Sequence, residues 1–204
     1  MNIFSHFRIS KILLHYLSHN HGIKIKRTPF IFGNLKPDIC ADKYNHNHSV
    51  TIMDDVLNEL EHFLTDIQSE RLSESAFAEK LGTFCHYLSD FFCLAHNASF
   101  SGDMWKHHEY EFKLHKHIRR IKAEKYNSFI TAGELKNSII NQHEKYSQEA
   151  LGLANDSNYI ATACVLVCTS TAKIWNAYKR IRQFSEMESV NVIAEPVIGQ
   201  EAIL

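Results

Sequence analysis

Residues 82–111 read GTFCHYLSDFFCLAHNASFSGDMWKHHEYE. Phe84, Leu88, Phe91 and Phe92 recur at helical spacing around His86 and Asp90, so an apolar, buried helix carries one imidazole and one carboxylate. These two lie four apart, as do His107 and Glu111, and that spacing puts both side chains of a pair on one helix face. Each pair can grip one cation. Imidazole combined with carboxylate selects zinc or a similar borderline metal over calcium or magnesium, which take all-oxygen shells. Among 14 histidines some fall four residues from an acid by chance, so one pair alone says little. An unpartnered Asp90 in an apolar helix is costly, His96 follows six residues later, and His6, Asp38 and His48 stand upstream. Together they point to a metal cluster.

Geometry limits how these ligands meet. On an unbroken helix His96 would stand about 15 Å from His86, too far for ions that lie about 3.5 to 4 Å apart in two-metal sites. The helix is therefore predicted to end or kink after Phe92, with Asn97, Ala98, Ser99, Ser101 and Gly102 supplying the turn.

Outside this stretch, only seven glycines and three prolines interrupt the chain, and long 3.6-residue periodicity predicts an all-α fold, a single-domain multi-helix bundle with the metal cluster at one end. Helices are predicted over about 5–17, 51–68, 73–92, 103–124, 131–154 and 159–185, with Ser5 as the cap of the first. Residues 22–47, which carry GNLKPDI, read as loop. Domain bounds follow as 1–185 for the helical unit and 186–204 for a loose or docked tail. No linker, repeat or low-complexity segment divides the chain, and a 45% hydrophobic content supports a sizeable core.

The residues His6, Asp38, His48, His86, Asp90, His96, His107 and Glu111, in that order, resemble the zinc-dependent phospholipase C family, which also contains the fungal single-strand-specific nucleases. The family pattern is an N-terminal histidine, an aspartate after a turn, a histidine about ten residues on, H-x3-D-x5-H, then H-x3-E or H-x3-D. The resemblance covers roughly the first 115 residues. It implies two to three zinc ions: one held by Asp38, His48, His86 and Asp90, one by His96, His107 and Glu111, and one by His6, Asp90 and the chain's own amino terminus. Family members are typically secreted and use the amine and carbonyl of a tryptophan exposed by signal-peptide removal. This chain begins MNIFSH, so Met1 is the residue whose amine takes that place. His46 competes with His48, and the spacing from Asp38 favours His48.

The resemblance further implies a zinc-dependent phosphodiester hydrolase in which the ions polarise a phosphoryl oxygen and activate a water, with Asp38 both a ligand and the candidate catalytic base. The substrate class is a small-molecule or lipid phosphodiester, and a lipid substrate brings a transient membrane-surface contact. The alternatives are a non-catalytic protein stapled by a structural zinc cluster or a single-strand nuclease. Lys and Arg number 22 against 23 Asp and Glu, so no global basic field recruits nucleic acid.

Five cysteines, four of them in apolar runs (Cys85, Cys93, Cys164, Cys168), predict reduced buried thiols and a cytoplasmic location. The start, MNIFSHFRISKILLHYL, reads as a retained amphipathic helix rather than a signal peptide, since Arg8 and Lys11 lie inside it. No run reaches the roughly 18 to 20 uninterrupted apolar residues of a membrane span. Trp105, Phe92 and Phe100 stand near the ligands and are expected in the core. His15, His19 and His21 read as a helix exit, His108 as an exposed neighbour of the site, and KLHKHIRRIKAEK (113–125) as a solvated helix face.

Overall fold

The structure is a computed structural model that describes residues 1–40, 44, 48–69, 72–126, 129–149 and 151–193, with side chains through 185. The all-α expectation holds, with seven α-helices and no strand among the described residues. They are α1 (Ile3–His21), α2 (Arg27–Ile39), α3 (Met53–Gln68), α4 (Glu74–Phe91), α5 (Met104–Ile118), α6 (Ala132–Gln148) and α7 (Leu153–Ile193).

Helices α1, α4, α5 and α6 begin where the sequence supplies the chemistry. Asn2, rather than Ser5, caps α1, its side chain accepting from the Ser5 amide at 3.0 Å, and Gly22 ends the helix at φ 64°, a left-handed conformation that favours glycine. Ser73 caps α4 and Asp103 caps α5. Thr131 and Glu134 form a capping box on α6. The helix expected over 131–154 stops instead at Gln148, and α7 starts at Leu153. At its far end α7 runs on through Ile193, into the segment expected to be a loose tail. No glycine or proline occurs between 186 and 195 to break it. Residues 194–204 lie outside the described residues.

Helices α4 and α7 form the centre. α4 buries Phe77, Leu81, Cys85, Leu88 and Phe91, and α7 buries Ile160, Cys164, Val167, Cys168 and Ala172. The Phe77 and Trp175 rings stack at 4.5 Å across the pair. By length and composition α7 could cross a bilayer, but 72% of that apolar window is buried against the other helices.

The largest departure from expectation is α2, in the segment read as loop. Pro37 sits inside it and takes away the amide that would pair with the Gly33 carbonyl. Thr83 of α4 replaces that donor, its hydroxyl bonding Gly33 O at 3.2 Å. Here the two backbones touch. A Cβ on Gly33 would fall 1.9 Å from the Glu79 carbonyl oxygen, and one on Gly82 would fall 2.1 Å from that of Phe30. Two glycines on facing helices thus let α2 lie directly on α4, which brings Asp38 to His86. We expect Gly82→Ala to force the helices apart and cost about 1–3 kcal/mol. Urea unfolding checks this, and unchanged stability would refute the close-contact account.

Candidate metal centre

The ends of α1 and α2, the chain after residue 47, α4, the turn after it and α5 all converge on Asp90, which is fully buried. One face of its carboxylate, Oδ2, meets His48 Nδ1 at 2.7 Å and His86 Nε2 at 3.1 Å. The other, Oδ1, meets the Met1 amine, His6 Nε2 at 3.4 Å and His96 Nε2 at 3.7 Å. Asp38 closes the first side, with Oδ1 3.8 Å from His48 and 3.9 Å from His86, and Oδ2 3.9 Å from His6. Glu111 closes the second, its Oε1 lying 3.0 Å from His107, 3.1 Å from His96 and 3.2 Å from the Met1 amine. All nine residues singled out from the sequence therefore fall in one connected cluster. The amine lies against Asp90, His96 and Glu111, nearer the His107 side than the resemblance implies.

The helix end that delivers His96 is built by specific bonds. α4 stops at Phe91, as the geometry of His86 and His96 requires. The Asn97 side-chain amide donates to the carbonyls of Phe91 at 3.1 Å and Cys93 at 2.8 Å, and His143 donates to Phe91 O at 3.1 Å. From α7, Asp156 reaches over and accepts from the Leu94 amide, Tyr110 OH and Tyr146 OH at 2.8, 2.8 and 2.9 Å. This buried carboxylate ties α5, α6 and α7 to the turn that carries His96. Nothing in its local sequence marks Asp156, because its partners lie 10, 46 and 62 residues away on other elements. Asp156→Ala would leave three donors unmatched; we expect a loss of about 3 kcal/mol and weaker metal retention by His96, with Asp156→Asn restoring part of both. Calorimetry combined with metal titration measures this, and an alanine variant equal to the parent in both would exclude the role.

The donor set fits a cation. Three groups, His6–Asp38–His86, His48–His86–Asp90 and His96–His107–Glu111, each offer three ligand atoms within 4.8 Å of one another. Neither nitrogen of His6 makes a hydrogen bond, nor does Asp38 Oδ2, although such buried polar atoms normally have partners. His86 Nδ1 donates to the Asn34 carbonyl at 2.8 Å, which fixes the tautomer and leaves Nε2 as a lone-pair donor aimed into the cluster. His86 Nε2 and His48 Nδ1 stand 2.9 Å apart, converging as two ligands of one ion do.

Electrostatics keep His6, Asp90 and Glu111 in the form that can ligate a cation. Burial, with the stacked His86 ring, pushes His6 down to about 3, so it is neutral near pH 7. For Asp90, burial alone would raise the pKa; the amine and the surrounding imidazoles outweigh it and hold the carboxyl well below its usual range. Glu111 behaves alike, down to about 2 through His96, the amine and His107. Asp38 moves the other way, raised chiefly by burial.

The cluster opens on a cleft of about 600 Å³ whose wall includes Asp38, His48, His96, His107, His108 and Glu111. His108 is exposed at this rim. His15, His19 and His21 stay apart, at the end of α1. Phe92 is in the core and the Phe100 ring stands edge-on to His107 at 5.9 Å. Trp105, expected in the core, is 85% exposed: its position on α5 faces outward, away from the bundle. His46 lies outside the described residues. A family model described as zinc dependent phospholipase C matches residues 5–153. No curated protein and no solved structure matches the chain.

Proposed function

Because the chain belongs to the zinc-dependent phospholipase C family, we propose that it is a phospholipase C-type phosphodiester hydrolase working with two to three zinc ions. His48, His86, Asp90 and Asp38 would hold one ion, and His96, His107 and Glu111 a second. His6, Asp90 and the Met1 amine, which also lies against His96 and Glu111, would hold a third. Bound there, zinc supplies Lewis-acid charge to a phosphoryl oxygen and acidifies a water.

The chain's own residues supply the rest. Asp90 faces both ligand groups and fixes their separation. Asp38 is the partly exposed carboxylate at 22%, it lines the cleft, and its Oδ2 makes no hydrogen bond. It orients the attacking water and takes its proton as the water oxygen bonds to phosphorus and the ester oxygen leaves. Two or three dications outweigh three carboxylates, so a phosphodiester anion meets net positive charge in a protein whose overall charge is -1.

The observation that carries this reading is the open side of the cluster. Structural zinc sites are closed four-ligand cages, whereas here the donors border a cleft large enough for a headgroup. The five free thiols support a reducing compartment, the cytoplasm. Metal analysis of the purified protein, followed by assays on phosphatidylcholine, single-stranded DNA and a chromogenic phosphodiester, tests the proposal. Zinc without hydrolysis of any of the three would leave a structural role; cleavage of DNA alone would make it a nuclease. Extending the chain before Met1 turns the amine into an amide, and we expect such an extension to lower zinc content by up to one ion.

A further inference from the structure

Among the described residues, six of the eleven exposed large hydrophobic side chains lie on α1 and α5: Ile3, Phe4, Phe7, Met104, Trp105 and Phe112. These helices run side by side and parallel. The Met1 amine meets Glu111, Ser5 Oγ bonds His115 Nδ1 at 3.1 Å, and Arg8 donates to the Arg119 carbonyl at 3.4 Å, a constant offset of about 110 residues. On α1, Phe4, Phe7 and Lys11 follow one another at spacings of three and four; on α5, Trp105, Phe112 and Lys116 do so at seven and four. Each set forms one outward stripe. His108, one turn from both Trp105 and Phe112, lies on the rim of the cleft.

Charge follows the same surface. α1 carries Arg8 and Lys11 and no acid, and residues 106–122 carry six lysines and arginines against Glu109 and Glu111. Glu109 is paired with Lys113 at 2.7 Å, and Glu111 belongs to the metal cluster. Lys11 lies over the Phe7 ring at 5.3 Å and Lys116 over Phe112 at 5.1 Å. A long lysine folded over an aromatic ring shields it in water and is free to swing toward phosphate when the ring enters an interface. Aromatic rings flanked by lysine and arginine are the composition of a surface that rests on an anionic bilayer.

We propose that the α1–α5 face docks the protein on the anionic surface of a lipid bilayer, with the metal cleft at its edge turned toward the headgroups. The link to catalysis rests on the phospholipid reading above; the docking itself does not.

Cosedimentation of the zinc-loaded full chain with vesicles tests this. Phosphatidylcholine–phosphatidylserine vesicles should capture the parent, and added salt should release part of it. The triple variant Phe4→Ser, Trp105→Ser, Phe112→Ser should bind about tenfold or more weakly. Lys11→Glu with Lys116→Glu should lose binding to anionic vesicles and little of any binding to phosphatidylcholine alone. Both variants should keep the melting temperature and the parent's rate on a water-soluble phosphodiester. Failure of the parent to bind anionic vesicles overturns the proposal, as does a parent dimer that the triple variant dissolves, which would make a second copy the occupant. Vesicle binding without lipid hydrolysis keeps the docking face and removes the phospholipase; hydrolysis of monomeric short-chain lipid without vesicle binding does the reverse.

Discussion

Asp38→Asn is expected to lower phosphodiester hydrolysis by roughly 100- to 10,000-fold while most of the zinc stays bound. The amide keeps the shape and one weak oxygen ligand but cannot take a proton from water. His48, His86 and Asp90 remain within 2.7 to 3.1 Å of one another to hold the ion. Asp38 is distinct from Asp90 in this respect. Asp90 is fully buried and faced by imidazoles on both sides, so replacing it should empty the site; Asp38 lines the cleft, so replacing it should spare the site and remove the chemistry. Steady-state kinetics combined with metal analysis separates the two. Near-parental rates in Asp38→Asn would show that this carboxylate is not the base, whereas loss of zinc in step with rate would leave it a ligand only.

Removal of the metal is expected to lower stability by about 4 kcal/mol when free zinc stands near a thousandfold above its dissociation constant. For a chain of this size that corresponds to roughly 8–16 °C in melting temperature. The cause lies in where the ligands come from. His6 belongs to α1, Asp38 to α2, His86 and Asp90 to α4 and Glu111 to α5, so ions bound by them would cross-link four helices. Without them, three carboxylates and the facing imidazoles would lose the charge that draws them together. Calorimetry before and after chelation measures the shift. An unchanged melting curve after verified zinc removal would contradict the cross-linking role.

What was legible in the sequence is what depends on near neighbours. The i,i+4 pairs His86/Asp90 and His107/Glu111 share a face because the α-helical repeat puts them there. A break after Phe92 was required by the distance an unbroken helix would impose between His86 and His96, and α4 ends one residue earlier, at Phe91. The helical class and the buried thiols follow from periodicity and composition, whereas the first cap, expected at Ser5, falls at Asn2. The ordered set from His6 to Glu111 was readable as a pattern, and the fold brings its members together. What only the tertiary structure decided involves partners far apart in the chain. GNLKPDI looked like loop because glycine and proline disfavour a helix locally; it folds as one because Thr83 supplies the donor that Pro37 removes and Gly33 and Gly82 let two backbones touch. Asp156 became visible only once Leu94, Tyr110 and Tyr146 were brought around it. Trp105 looked like core by its chemistry, and its direction on α5 put it outside. Helical order is a local property of the chain, but which side of a helix is covered depends on what packs against it.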